Sequence, residues 1–312
     1  KAKPLFRGHY QPHQPADLGF YDLRVPEVRE QQAELAREAG IEGFCYWHYW
    51  FAGKRLLERP FNEVLASGKP DFPFCLAWAN ESWKGIWHGA DGRTLIDQTY
   101  PGEEDYINHF YDVLPAFRDS RYITIDGKPV FVIYKHHLVP NLNFYISLWR
   151  DLAAANGLAG IYFIGIRGSL DANLPSCLDG WITDNPNYLM KKLKSEHKSI
   201  VEKAFRRLLK GKIQLDRLLS KPPILPYKVV ADEPLIPLVS NRDEFPSIFP
   251  GWDNTPRSGL KGTVLTDSEP SLFGFHLRKA MDQMKDRPKE KQIIFIKSWN
   301  EWAEGNYLEP DQ

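Results

Sequence analysis

Seven apolar runs, each bounded by turn signals and separated by helix-patterned or polar stretches, constrain the fold of this chain most strongly. They lie at residues 43–50, 72–79, 129–134, 160–166, 180–184, 245–249 and 292–298. Pro129-Val130-Phe131-Val132-Ile133-Tyr134 is representative, being apolar throughout rather than at alternate positions. Such a strand is buried on both faces, as in a parallel sheet covered by helices. Helical spacing occupies residues 27–39, 60–67, 103–117, 142–156 and 272–284, with Gly40 and Asn156-Gly157 as stop signals. A short extra strand is expected at 93–98, and loop over the first twenty-odd residues. The alternation predicts an α/β chain of the (β/α)8 TIM-barrel type with its first strand missing from the fragment. One domain over 1–312 is expected. An open doubly wound sheet is the alternative, but no Gly-rich turn follows any strand, as the dinucleotide sites of that fold require.

The polar and aromatic residues collect after the predicted strand ends. Ten tryptophans are present, and Trp47, Trp50, Trp78, Trp83, Trp87, Trp252, Trp299 and Trp302 all fall at or just past such an end. In a barrel those ends share one rim, where active sites sit. Aromatic rings there read as platforms for ligands with one apolar face, such as sugars; core packing is the plainer alternative.

Charge excludes other classes. Forty basic and forty acidic side chains cancel, so a bulk nucleic-acid binder is not expected. Residues 190–221 stand apart, with eleven Lys or Arg against three Asp or Glu, a net +8. Ile200, Val201, Ala204, Phe205, Leu208 and Leu209 recur there at helical spacing, which predicts a basic amphipathic helix inserted between strands. Either its basic face is simply solvated, or it meets anionic lipid or a lipid-linked glycan. No run approaches the length of a membrane span. Cys45, Cys75 and Cys177 read as buried reduced thiols, and the expected setting is the cytoplasm, peripheral to the inner membrane if residues 190–221 bind lipid.

The strongest chemical signal is Trp299-Asn300-Glu301-Trp302-Ala303-Glu304-Gly305 after the last strand. Two carboxyl groups among aromatic rings suit glycosidic chemistry, which needs one acid and one base or nucleophile. Desolvation by the rings would separate their pKa values. Trp78-Ala79-Asn80-Glu81-Ser82-Trp83 repeats the pattern after an earlier strand, and Trp252-Asp253-Asn254-Thr255-Pro256-Arg257 adds an Asp and an Arg, which could also be an ion pair closing a loop. His9, His13 and His48 read as hydrogen-bonding partners of a polar ligand. No HExxH motif occurs, and Pro12 and Pro15 oppose a helix around His9 and His13, so neither a metal nor a cofactor is expected. Walker A, GxGxxG, GxSxG and Asp-x-Asp sequences do not occur either.

These stretches, with Gly8-His9-Tyr10-Gln11-Pro12-His13, Gly43-Phe44-Cys45-Tyr46-Trp47-His48-Tyr49-Trp50-Phe51 and Leu308-Glu309-Pro310, resemble the WbsX-type proteins, which are similar to glycoside hydrolase family 99. The resemblance covers nearly the whole chain and is least supported at 190–221. It implies a (β/α)8 barrel lacking its first strand here, and a role in O-antigen or other bacterial surface polysaccharide. In the family 99 endo-mannosidases the first Glu of Asn-Glu-Trp-x-Glu-Gly deprotonates the sugar 2-hydroxyl, which attacks the anomeric carbon. The second Glu is general acid and then base. The resemblance carries these roles to Glu301 and Glu304. It leaves open whether this branch hydrolyses or transfers.

The expected function is therefore cleavage or formation of a glycosidic bond in an oligo- or polysaccharide. Trp50, Trp78, Trp299 and Trp302 are expected as sugar platforms, and Asn80, Glu81 and Asp253 as ligands of hydroxyls. Tyr46, Trp83, Trp252, Arg257 and Asn300 complete the expected binding set. A glycosyltransferase using an activated donor in the same cleft, and a non-catalytic glycan-binding module, are the alternatives.

Overall fold

The computed structural model describes residues 2–85, 93–167, 175–183, 221–232 and 243–312. Trp87, the end of the predicted strand at Asp184, and all but the last residue of the predicted basic insertion 190–221 lie outside these.

Each predicted apolar run contains a strand. In chain order they are β1 (Phe44–Phe51), β2 (Phe74–Trp78), β3 (Lys128–Ile133), β4 (Tyr162–Arg167), β5 (Gly180–Thr183), β6 (Asp243–Phe245), β7 (Ser247–Ile248) and β8 (Phe295–Ile296). β1 through β6 form one parallel sheet in sequential order. Pro246 interrupts the ladder after β6, because it has no N–H to donate. The chain then continues as β7, which pairs in parallel with β8. With β6 and β7 counted as one interrupted strand, seven parallel strands follow one another from β1 to β8, and the short strand Lys54–Leu56 pairs antiparallel with β1 on its other side. Sequential parallel order with intervening helices is the βαβ arrangement that the apolar runs predict. The expected strand at 93–98 is Thr94–Ile96, paired with Trp83–Lys84 in a hairpin beyond β2.

The longer helices among the described residues are α1 (Pro26–Glu38), α2 (Arg59–Ser67), α3 (Glu103–Phe117), α4 (Leu142–Ala155) and α5 (Pro270–Met284). Proline in the first turn starts α1, α2 and α5, where its missing N–H costs nothing. Glu103, Glu104 and Asp105 open α3 and oppose its dipole. Asn141 caps α4 through its side chain. α3 and α4 cover the sheet with Phe117, Tyr145 and Trp149, which meet Phe131 and Phe163, and Phe110 packs on Trp149. The Trp149 indole is fully buried, and its N–H donates to the Tyr106 carbonyl at 3.0 Å.

Strand alternation assigns the faces. Tyr46, His48 and Trp50 point towards the helices, where Tyr46 meets Phe61 of α2 and the other two stack on or beside His109 of α3. Cys45, Trp47 and Tyr49 therefore occupy the opposite face. Cys45 is paired in register with Cys75, and Trp47 with Ala77. Cys75 is buried but Cys45 is exposed, which corrects the expectation of three buried thiols.

Candidate active site

The two glutamates of the closing motif come together through Arg257. Its Nη2 donates to Glu301 Oε1 at 2.8 Å and its Nη1 to Glu304 Oε1 at 2.9 Å. Arg257 lies on a short helix, Thr255–Ser258, just after the loop that follows β7. It pairs with the glutamates rather than closing its own loop on Asp253. Both carboxylates are partly shielded, with side-chain exposures of 34% for Glu301 and 17% for Glu304. Burial raises the Glu301 pKa; Arg257 pulls it back and the Glu304 charge raises it again.

The local chain explains the placement. After β8, Ser298 Oγ accepts from the Glu301 N–H at 3.1 Å and donates to the Asn306 carbonyl at 2.6 Å. Asn300–Glu301 then pairs antiparallel with Asn306–Tyr307 around a turn at Trp302–Glu304. Gly305 closes that turn at φ 56°, and an added Cβ would lie 2.7 Å from the Asp253 nitrogen. Glycine alone fits both demands. The close approach lets the Asp253 N–H donate to the Glu304 carbonyl at 2.7 Å.

Asp253 and Glu309 hold the loops behind this pair. Asp253 Oδ2 lies 2.8 Å from His9 Nε2 and accepts from Gln11 at 2.5 Å, while Oδ1 accepts from the Thr255 hydroxyl and N–H. Glu309 is buried and accepts from Tyr21, Gln32 and the Trp302 indole, the last two at 2.6 Å. Trp302 also stacks on Tyr307, whose hydroxyl bonds His13 at 2.7 Å. Asn300 is exposed and donates to Tyr21 at 3.2 Å. His9, His13, Asp253 and Trp302 thus support the carboxylate loop, where the sequence suggested ligand contacts.

Several expected platforms are part of the core. Trp78 is 1% exposed, packed against Tyr100, His109 and Tyr145. Trp50 and His48 are buried against α3, and Tyr46 is half-buried against Phe61 of α2. Trp252 is buried with Tyr227, Phe249 and Leu265. Trp299 packs on Phe44, with ring centroids 5.5 Å apart. Asn80 is fully buried; its amide bonds both backbone groups of Lys135, tying the ends of β2 and β3 together. Burial corrects the sugar-contact roles expected of His48, Trp50, Trp78, Asn80 and Trp252; Tyr46 and Trp299 are half-buried. Glu81 is exposed, and Trp83 is part-exposed with its ring 5.2 Å from that of Tyr49.

Tyr49 and Lys297 are functional candidates that the sequence reading passed over. Burial raises the Tyr49 pKa, the Glu301 charge adds to this and Arg257 opposes it, so its phenol feels the charges of the carboxylate site. Period-two alternation could have found it, since Tyr49 must face away from His48 and Trp50. Lys297 acts on Glu301 in the opposite sense and sets its ammonium 5.3 Å from the centre of the Trp252 ring.

The family model described as "Glycosyltransferase WbsX" matches residues 1–312. The chain belongs to the WbsX family. WxcX proteins from two strains of Xanthomonas campestris pv. campestris are 34% identical to this WbsX-family chain over 316 aligned positions. The chain spans 43% of the length of these curated relatives, and all of it is matched. Among solved structures, a "glycoside hydrolase-like protein" aligns with a TM-score of 0.58 at 16% identity, covering 96% of this chain and 82% of that one. The family 99 endo-α-mannosidase from Bacteroides thetaiotaomicron aligns with a TM-score of 0.54 at 17% identity, covering 99% and 81%. At such identities the likeness concerns the fold, and it agrees with the parallel sheet of this WbsX-family member.

Proposed function

We propose that this chain acts on a glycosidic bond of a bacterial surface polysaccharide, with Glu301 and Glu304 as its catalytic pair. The observation that carries this reading is the Arg257 bridge, which brings two part-shielded carboxylates of one motif to a single guanidinium. Glu301 is the base: a raised pKa makes its carboxylate a better acceptor for the sugar 2-hydroxyl proton. The 2-oxygen then attacks the anomeric carbon, while Glu304 gives a proton to the departing oxygen. Water opens the anhydro sugar, with Glu304 taking its proton and Glu301 returning the first one to the 2-oxygen. Tyr49, which feels the Glu301 charge, and Trp83, which meets Tyr49 edge-on, would border the sugar.

The family description favours a second reading, a glycosyltransferase that draws on an activated donor in this cleft. In either case the parallel strands are read as part of a (β/α)8 barrel. Residues 190–221 are read as a basic insertion that meets anionic lipid or a lipid-linked glycan at the inner membrane. No helix among the described residues is long and apolar enough to cross a membrane.

The intact protein, incubated with polysaccharide from its source and separately with nucleotide sugars, is followed by mass spectrometry. Shortened glycan without donor consumption, abolished in Glu301→Gln and Glu304→Gln, is the expected result. Donor consumption with glycan growth supports the transferase. Unchanged turnover in both variants overturns the assigned pair.

A further inference from the structure

The geometry points to a sugar-binding subsite on the inward face of β1, where Trp47 and Tyr134 form a corner over Ala77 and receive a pyranose remote from the bond being broken. This rests on the glycan reading above. Trp47 is 47% exposed, the only tryptophan among the large hydrophobic side chains that stand well open among the described residues. It is nonetheless fixed: it occupies the middle of a regular parallel pair, opposite Ala77. Ala77 is paired in turn with Val132 of β3. The small Ala77 side chain leaves room for the indole to reach across β2. There it meets Tyr134, just past β3, with centroids 5.4 Å apart and planes at 73°. The Lys135 ammonium sits 4.2 Å from the centre of the Tyr134 ring. Tyr134 is thus engaged by its neighbours, and Trp47 offers the open plate.

An exposed indole on a rigid strand, facing inward, is a costly way to meet solvent and a good way to meet the C–H face of a sugar. The placement relative to the glutamates supports the assignment. Tyr49, two residues on and on the same face, stands about 6.7 Å along the strand. Its ring carries Trp83 edge-on at 5.2 Å. Along this face Trp47 comes first, then Tyr49 with Trp83, and the Tyr49 phenol in turn feels the charges of Glu301 and Arg257. A glycan chain lying along it would set one sugar on Trp47 and another beside the carboxylates.

Binding of hexose oligomers tests this independently of turnover. In the Glu301→Gln background of the intact protein, manno- and gluco-configured di-, tetra- and hexasaccharides are titrated by calorimetry, with and without Trp47→Ala. The expected result is a loss of about tenfold or more for tetra- and hexasaccharides and less than about threefold for disaccharides. Trp47→Phe should recover most of the loss. Ala77→Leu, which fills the space beneath the indole, should weaken the longer ligands in the same way while leaving Trp47 in place. Equal binding with and without Trp47 overturns the subsite, as does no binding of any oligomer. Trp47-dependent binding with no cleavage in the wild type leaves the subsite standing and removes the glycosidase reading. Cleavage indifferent to Trp47 does the reverse.

Discussion

His9 Nε2 lies 2.8 Å from Asp253 Oδ2, joining residues 244 positions apart in the chain. Asp253 in turn donates its N–H to the Glu304 carbonyl, so it is one bond removed from a proposed catalytic residue. Truncating it strands the buried His9 and Gln11 donors. Asp253→Ala should cost about 3 kcal/mol, the scale of breaking a buried ionic contact from one side. It should lower kcat more than it raises KM, because Glu304 shifts while the sugar contacts remain. Urea unfolding together with steady-state kinetics on the polysaccharide checks both. Burial pushes the Asp253 carboxyl up, but bonds from Thr255, Gln11 and His9 outweigh it and hold the pKa below the ordinary value. Its contribution to stability is therefore present above about pH 4 and lost as pH falls through the lower native value.

Arg257 opposes the rise in the Glu301 pKa that burial causes. Without the guanidinium, Glu301 holds its proton to higher pH. As the proposed base must be ionised to act, the acidic limb of the kcat/KM profile should move upward in Arg257→Ala. The rate at neutral pH should fall about 100-fold, the scale for removing a fixed charged donor from a reacting centre. Arg257→Lys restores charge but not the fork, so it should recover the limb more than the rate. A pH–rate series across the three proteins decides this; an unmoved limb would separate Arg257 from Glu301 function.

The strands were legible because each is an apolar run, and the Glu301–Glu304 pair because its spacing and flanking rings are unusual. The faces of β1 were not. A strand with aromatic residues at 46, 47, 49 and 50 has no polar alternation to mark one face from the other, so nothing in it shows that Tyr46, His48 and Trp50 face the helices and Cys45, Trp47 and Tyr49 the opposite side. The partner of Arg257 was equally hidden. Asp253 is four residues away and Glu301 is forty-four, and only the fold brings the distant one closer. Glu309 stood in a recognised motif, but nothing in Leu308-Glu309-Pro310 reveals that three side chains converge on it.

His48 and His109 share one hydrogen bond, Nε2 to Nε2 at 2.8 Å, in a site walled by Trp50, Trp78 and Trp149. Burial pushes the His48 pKa down to about 3, with Arg55 adding to it. Burial also holds His109 well below its ordinary value, helped by His48 and Arg55. The unfolded chain takes up protons below about pH 6.5 that the folded one refuses, so stability falls as pH falls from there. The slope should approach about 1.4 kcal/mol per pH unit for each histidine. Replacing both with phenylalanine removes donor and acceptor together, which is close to neutral at pH 7. The double variant should match the wild type in urea at pH 7 and exceed it at pH 5. Parallel curves at both pH values would assign the acid sensitivity to other groups.

Gly165 is held to a glycine by close packing within the parallel sheet. It sits in β4, paired in register with Trp181 of β5. A Cβ at this position would lie 2.4 Å from the Trp181 ring and 2.8 Å from the Leu178 side chain. Neither neighbour can easily yield, since Trp181 is fully buried and its ring also meets His136. Gly165→Ala should therefore destabilise the protein by about 1–3 kcal/mol, the usual cost of overpacking a filled core. Trp181→Leu alone should cost more, because it leaves a void where the indole was. The two changes are coupled through the same space, so the double variant should be more stable than the sum of the single effects predicts. A double-mutant cycle in urea measures the difference. Additive losses would mean that the strands separate to admit the methyl group, and that β4 and β5 are less rigidly paired than their register indicates.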